Sequence, residues 1–275
     1  MTSATANSEH TDDALLDAMK AHAASAMRPP ADERIDKTAL SWWFPRIEAA
    51  GLPVPRTTII KMPREAQESI WAAFDGKDGG NAFPFFVEIA SAGDVLGWPC
   101  FLRTDHTSGK HSWRETCFLS SAGDLARHVY AIAEFSEMAG FPGLPWDGWA
   151  VREMLPTIPL GICLAFGDMP ICREFRFFVE DGKVECWHPY WPLEALKQGA
   201  AVSYDRSAVE GLFAALCSPG QTKDVVELNT LAARAGAALG GAWSVDILET
   251  ARGWVVTDMA EAHKSYHWPG CPRAK

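Results

Sequence analysis

Leu40, Trp43, Phe44 and Ile47 recur at spacings of three and four, the mark of one apolar helix face. The pattern predicts a helix over 37–50, interrupted at Pro45, which lacks the N–H that a helix interior requires. Gly51, Pro53 and Pro55 close it, and 56–61 has the character of a short strand. An amphipathic helix is predicted over 63–74, stopped by the glycine-rich run 75–80. Strands at 99–103 and 111–118 flank a polar loop, 104–110. Leu125, Val129, Ile132 and Phe135 form one face of a helix over 121–139, with Ser121 as cap and Asp124 three residues on. A strand over 149–155 ends at Pro156, and 172–179 with 183–188 form a hairpin over Glu180-Asp181-Gly182. Helices over 208–217 and 225–239 follow, the second stopped by Gly240-Gly241. A last hairpin runs from Trp243 to Glu261 around Ala251-Arg252-Gly253.

The chain has 275 residues, 48% hydrophobic and 22% charged, the balance of a soluble globular protein. A net charge of −10 argues against a mainly electrostatic nucleic-acid binder. No stretch approaches the roughly 18–20 apolar residues of a membrane span. The first residues lack the basic segment and apolar core of a signal peptide, so a cytoplasmic location is expected. Residues 1–34, small, polar and rich in Ala and Pro, are expected to form a disordered leader. Seven cysteines without a CxxC pair, mostly in apolar segments, predict reduced buried thiols rather than disulfides or a zinc site. Cys172 and Cys186, with His188, are the pair to test for a nucleophile.

Four segments carry chemistry. Asp246 lies inside an apolar strand, which is costly unless a cation or hydrogen bonds compensate it. Asp258 ends the partner strand and Glu261 follows, an oxygen-rich set suited to Mg²⁺. The plainer alternative is one buried aspartate satisfied by backbone and two surface acids. Arg103 and Lys110 bracket a hydroxyl- and glycine-containing loop of the kind that closes on phosphate, although the run is no Walker A motif. Strand alternation puts Glu174 and Arg176 on one face and Phe175 and Phe177 on the other, facing a cleft or simply pairing with each other. Arg152, Glu153 and Leu155 end a strand just before Pro156 and have the form of a hinge.

Taken in order, these segments resemble the ATP-grasp superfamily, in its divergent branch with an arginine replacing a nucleotide-binding lysine. The run Glu174-Phe175-Arg176 with Phe178 and Val179 is similar to a strand of the eukaryotic ATP-grasp assembly chaperone of translation initiation factor 2. The resemblance implies an α/β (α+β) fold of ATP-grasp type, a small N-terminal lobe plus two α+β lobes enclosing a nucleotide cleft. Its expected divisions are the leader 1–34, a pre-grasp lobe 35–97, a central lobe 98–152 with the phosphate loop, and a C-terminal lobe 153–275 with the metal site. It implies ATP and Mg²⁺, or Mn²⁺, as cofactors. Lys37, Arg103 and Lys110 would hold phosphate, Arg152, Glu153 and Leu155 the adenine, and Glu174 the ribose. Arg176 and Lys110 would be catalytic, and Asp246, Asp258 and Glu261 would bind metal. Where the family usually has a glutamate and, two residues later, an asparagine, this chain has Asp258 and Ala260, so Glu261 is expected to complete the shell.

The implied activity is a carboxylate–amine or carboxylate–thiol ligase working through an acylphosphate, with ATP converted to ADP. Its substrate would be a small-molecule or peptide carboxylate, with neither nucleic acid nor membrane as partner. The alternative is an ATP-binding assembly chaperone or interaction protein without ligase turnover. A third reading, RNA or nucleotide end modification, would use Tyr190 and Trp191 to stack bases.

Overall fold

The computed structural model describes residues 35–77, 80–140, 143–199, 206–269 and 271; the expected leader lies outside them. Two four-stranded antiparallel sheets carry the architecture. The first joins β1 (Thr57–Lys61), β2 (Cys100–Thr104), β3 (Phe118–Leu119) and β4 (Gly148–Glu153) in the order β1-β4-β2-β3. Its helices are α2 (Arg64–Phe74), α3 (Phe83–Leu96) and α4 (Leu125–Met138). Leu102 pairs with Val151, and both pack with Ile70, Phe85, Ile89 and Ile132 from the helices. By alternation the other face carries Phe101, Arg103 and Arg152.

The second sheet joins β7 (Glu174–Glu180), β8 (Lys183–Pro189), β9 (Ala242–Thr250) and β10 (Gly253–Glu261) in the order β10-β9-β7-β8. Phe175, Phe177, Val245, Ile247 and Val256 meet α1 (Leu40–Ala49) and α7 (Thr222–Leu239) in one buried cluster. The opposite face is polar. His188, Arg176, Asp246 and Asp258 form one row across the four strands. A β-bulge between Val256 and Asp258 produces this arrangement. Strict alternation would return Asp258 to the core side with Val256; the extra residue, Thr257, turns it to the side of Asp246. A smaller unit, β5 (Gly161–Cys163) and β6 (Met169–Ile171) with α5 (Leu193–Gly199) and α6 (Arg206–Cys217), packs around Ile171, Trp191 and Leu216.

Three sequence expectations differ from what is seen. Residues 83–96 form a helix that periodicity missed, because apolar Phe83, Val87 and Val95 lie on its exposed side and blur the stripe. The strand expected over 111–118 is instead a 3₁₀ turn, Lys110–Ser112, and further turns, with only Phe118–Leu119 paired to β2. Its backbone bonds locally: Ser112 donates to Gly109, and Thr116 to Ser112. Residues 35–97 also build no sheet of their own, since β1 pairs with β4 and α1 packs on the second sheet. The α1 start has no cap of its own at Ala39. Asp105 supplies one, its carboxylate accepting from the Ser41 N–H at 2.8 Å and hydroxyl at 2.7 Å.

Candidate functional site

The polar sides of the two sheets enclose a cleft of about 130 Å³. Arg103 and Arg152 enter from the first sheet, Glu174 and Asp258 from the second, and Lys110 from the intervening 3₁₀ turn. Both arginines are buried. Arg103 pairs with Asp258 at 2.9 Å through Nη1. Arg152 donates from Nη1 to the Thr257 carbonyl at 2.7 Å, so the bulge that turns Asp258 also ties the two sheets together. The Nη2 of Arg152 is buried without a hydrogen-bond partner. A buried cationic donor left open in this way is costly unless an anion or water meets it.

Beside the cleft, Arg176 grips Asp246 with two parallel bonds. The Tyr190 ring lies between two cations, 4.3 Å from Lys110 Nζ and 5.0 Å from the Arg176 guanidinium. Tyr190 is set against β7 by its N–H, which donates to the Glu174 carbonyl at 2.8 Å.

Charge is balanced within this group. Burial raises the Glu174 carboxyl to about 7, with Asp246 and Asp258 pushing the same way and Lys110 and Arg176 opposing. Burial works against the charge on Lys110, but Tyr190, Glu174 and Asp246 outweigh it and hold the ammonium above its ordinary pKa. Asp258 is also penalised by burial, yet Arg103, Lys110 and Arg152 keep it below the usual carboxylate range. Burial, with Arg103 beside it, lowers Arg152. The cleft therefore holds an excess of cationic donors around a few acids.

Of the residues singled out from sequence, the cleft brings together Arg103, Lys110, Arg152, Glu153, Leu155, Glu174 and Asp258, with Arg176 and Asp246 in the adjoining row. Glu153 is already engaged, its carboxylate accepting from the Arg56 N–H and standing 3.1 Å from Arg252. Lys37 is not brought in. It is exposed, with its Nζ 5.7 Å over the Trp42 ring, because α1 turns its apolar face onto the second sheet. Glu261 also stands apart: it pairs with Trp243 on the other side of the pleat from Asp246 and bonds Lys264 at 2.8 Å. The Cys172–Cys186–His188 pairing is corrected. Cys172 lies in the cleft wall with its thiol pushed by burial to about 12, an inert group, whereas Cys186 sits beside His267 and Cys271.

Sequence reasoning missed Trp113, Thr257 and Cys172 in the wall, and it treated Tyr190 only as a base-stacking ring. The bulge that positions Thr257 leaves no composition signal.

Two sheets facing each other across a cationic cleft, with acids from a terminal hairpin, are matched by sequence comparison. Residues 95–269 fit the family model described as an ATP-grasp domain, family 3 of the arginine-for-lysine (R-to-K) clade. This chain belongs to that family. The ATP-grasp fold is shared with C-terminally truncated Cdc123 from Schizosaccharomyces pombe, at a TM-score of 0.51 and 12% identity, covering 82% of this chain and 83% of that one. A RimK domain ATP-grasp protein from Sphaerobacter thermophilus is 16% identical at TM-score 0.42, with 82% of this chain and 60% of that chain covered. N5-carboxyaminoimidazole synthase from Aspergillus clavatus is 11% identical at TM-score 0.44, with 81% and 44% covered. This ATP-grasp chain thus spans less than two thirds of the latter two. No curated protein matches it by sequence. Among its described residues no helix is long and apolar enough to cross a membrane.

Proposed function

We propose that this ATP-grasp protein is an ATP-dependent ligase that activates a small-molecule or peptide carboxylate as an acylphosphate and passes it to an amine or thiol. ATP-grasp proteins are in general ATP-dependent ligases, and the family membership supports that much. One observation carries the finer reading: the buried, partnerless Nη2 of Arg152 on a cleft wall shared with Arg103 and Lys110. Three fixed cationic donors converging on one space fit a polyphosphate.

Arg103, Arg152 and Lys110 would hold the phosphates, and Met154 with Leu155 would border the base. Tyr190 keeps Lys110 and Arg176 aligned on its two sides, so each is oriented before substrate arrives. Asp258 and Asp246 face each other in the strand register and offer the hard oxygen donors that suit Mg²⁺; Glu174 stands close enough to raise their mutual repulsion. When bound, Mg²⁺ supplies charge neutralisation for phosphoryl transfer. The test is to incubate the protein with ATP, Mg²⁺ and panels of carboxylates and amines, with hydroxylamine as a trap. The expected result is carboxylate-dependent ADP release and hydroxamate formation.

A second reading, nucleotide binding without turnover, is favoured by one feature. Both aspartates are already neutralised by arginines, Asp246 on both oxygens by Arg176 and Asp258 by Arg103. Nucleotide binding with no ADP release across the panels would select it.

A further inference from the structure

Beyond the cleft, the C-terminal segment lies along the polar side of the second sheet, at its β8 edge. His267 stacks on Phe178 with ring centroids 3.5 Å apart, and Trp268 stacks on His188 at 5.4 Å and on Phe213 at 5.7 Å. A backbone bond from the Cys271 N–H to the Trp268 carbonyl, 3.1 Å, turns the chain back toward β8. This brings Cys271 Sγ to 3.5 Å from Cys186 Sγ, and Cys186 Sγ to 3.9 Å from His267 Nδ1. The three ligand atoms all lie within 4.8 Å of one another, the only such His/Cys/Asp/Glu group among the described residues.

We infer that Cys186, His267 and Cys271 form a binding site for Zn²⁺. Zinc takes thiolate at about 2.3 Å and imidazole at about 2.0–2.1 Å in tetrahedral geometry. Those lengths place two sulfurs roughly 3.8 Å apart and a sulfur and a nitrogen roughly 3.6 Å apart. The observed spacings, 3.5 and 3.9 Å, already surround a point suited to the ion. A disulfide would need its sulfurs about 2.05 Å apart and leaves the imidazole without a role. The donor set, two soft thiolates and one imidazole, selects zinc over Mg²⁺ or Ca²⁺, so this site is chemically separate from the carboxylates of the cleft.

The three half-buried side chains leave the fourth tetrahedral position to water. All three ligands are local in space and remote in sequence, which is why spacing rules gave no zinc motif. The ion would pin the segment 265–271 over Phe178, which follows Arg176 by two residues on β7. Zinc binding displaces the thiol protons to solvent and needs no oxidant or reductant.

The test uses the full chain, free of any affinity tag and kept reduced, titrated with Co²⁺ as a spectroscopic stand-in and then with Zn²⁺. One equivalent of Co²⁺ should give a thiolate charge-transfer band and tetrahedral d–d bands, which Zn²⁺ bleaches. Cys186→Ser and Cys271→Ser should lose both bands, while Cys217→Ser, away from the cluster, keeps them. His267→Cys preserves a three-ligand set and should keep tetrahedral binding, separating loss of a ligand from loss of the fold. Absence of tight stoichiometric metal binding in the reduced wild type would overturn the assignment. So would unchanged spectra in both serine variants, or isolation of a Cys186–Cys271 disulfide from a protein that takes up no metal.

Discussion

Arg176 and Asp246 are opposite each other on β7 and β9 and form a two-pronged ion pair, Nε to Oδ1 and Nη2 to Oδ2, both at 2.7 Å. The aspartate side chain is only 5% exposed, so this arginine is what makes a charge in that strand tolerable. Removing one partner of a buried pair costs about 3 kcal/mol or more, whereas replacing both by apolar groups costs much less. Arg176→Met should therefore lower Tm by roughly 6–12 °C. The double variant Arg176→Met with Asp246→Leu should recover much of that loss, and thermal melts of the set check it.

Glu174 gives a pH signature. Its folded pKa, raised by burial to about 7, lies above its ordinary value of 4.5. The native state thus holds a proton that the unfolded chain has released, and stability from this group falls as pH rises between those values. Glu174→Gln should melt higher than wild type at pH 8, with the advantage vanishing near pH 4.5. An equal difference at both pH values would show that Glu174 is not held protonated by its surroundings.

The Asp105 cap on α1 is a separate structural tie between the sheets. Asp105→Ala removes both acceptors for Ser41 and should cost about 1–2 kcal/mol by denaturant titration. Gly148→Ala should do at least as much damage, because a Cβ there would meet Asp105 Oδ2 at 2.0 Å.

Much of this was legible before the structure. Alternation placed Glu174 and Arg176 opposite Phe175 and Phe177, and the strands around Arg103 and Arg152 carried enough pattern to be found. The helix Phe83–Leu96 was not, because exposed apolar residues on its outer side erase the polar stripe. Lys37 and Glu261 failed for another reason. Their places depend on which way α1 packs and on a bulge that reverses the pleat at Thr257, neither of which a local pattern encodes. The Cys186–His267–Cys271 cluster depends on the path of the C-terminal segment and has no spacing signature.

Asp258 bears most directly on catalysis. Asp258→Asn leaves Arg103 a neutral partner and removes a hard ligand from the row facing Asp246. Steady-state ADP release should fall at least roughly 100-fold in kcat, as expected when charge stabilisation of a transferring phosphoryl group is lost. Wild-type turnover in this variant would mean that the metal lies elsewhere.

The most direct measurement is a calorimetric titration of a non-hydrolysable ATP analogue with Mg²⁺ into the wild-type protein and into Lys110→Met. The cleft account expects one site per chain in the wild type and at least a tenfold weaker Kd in the variant, since Lys110 faces the polyphosphate space between Arg103 and Tyr190. No binding to the wild type, or equal affinity in both proteins, would contradict it.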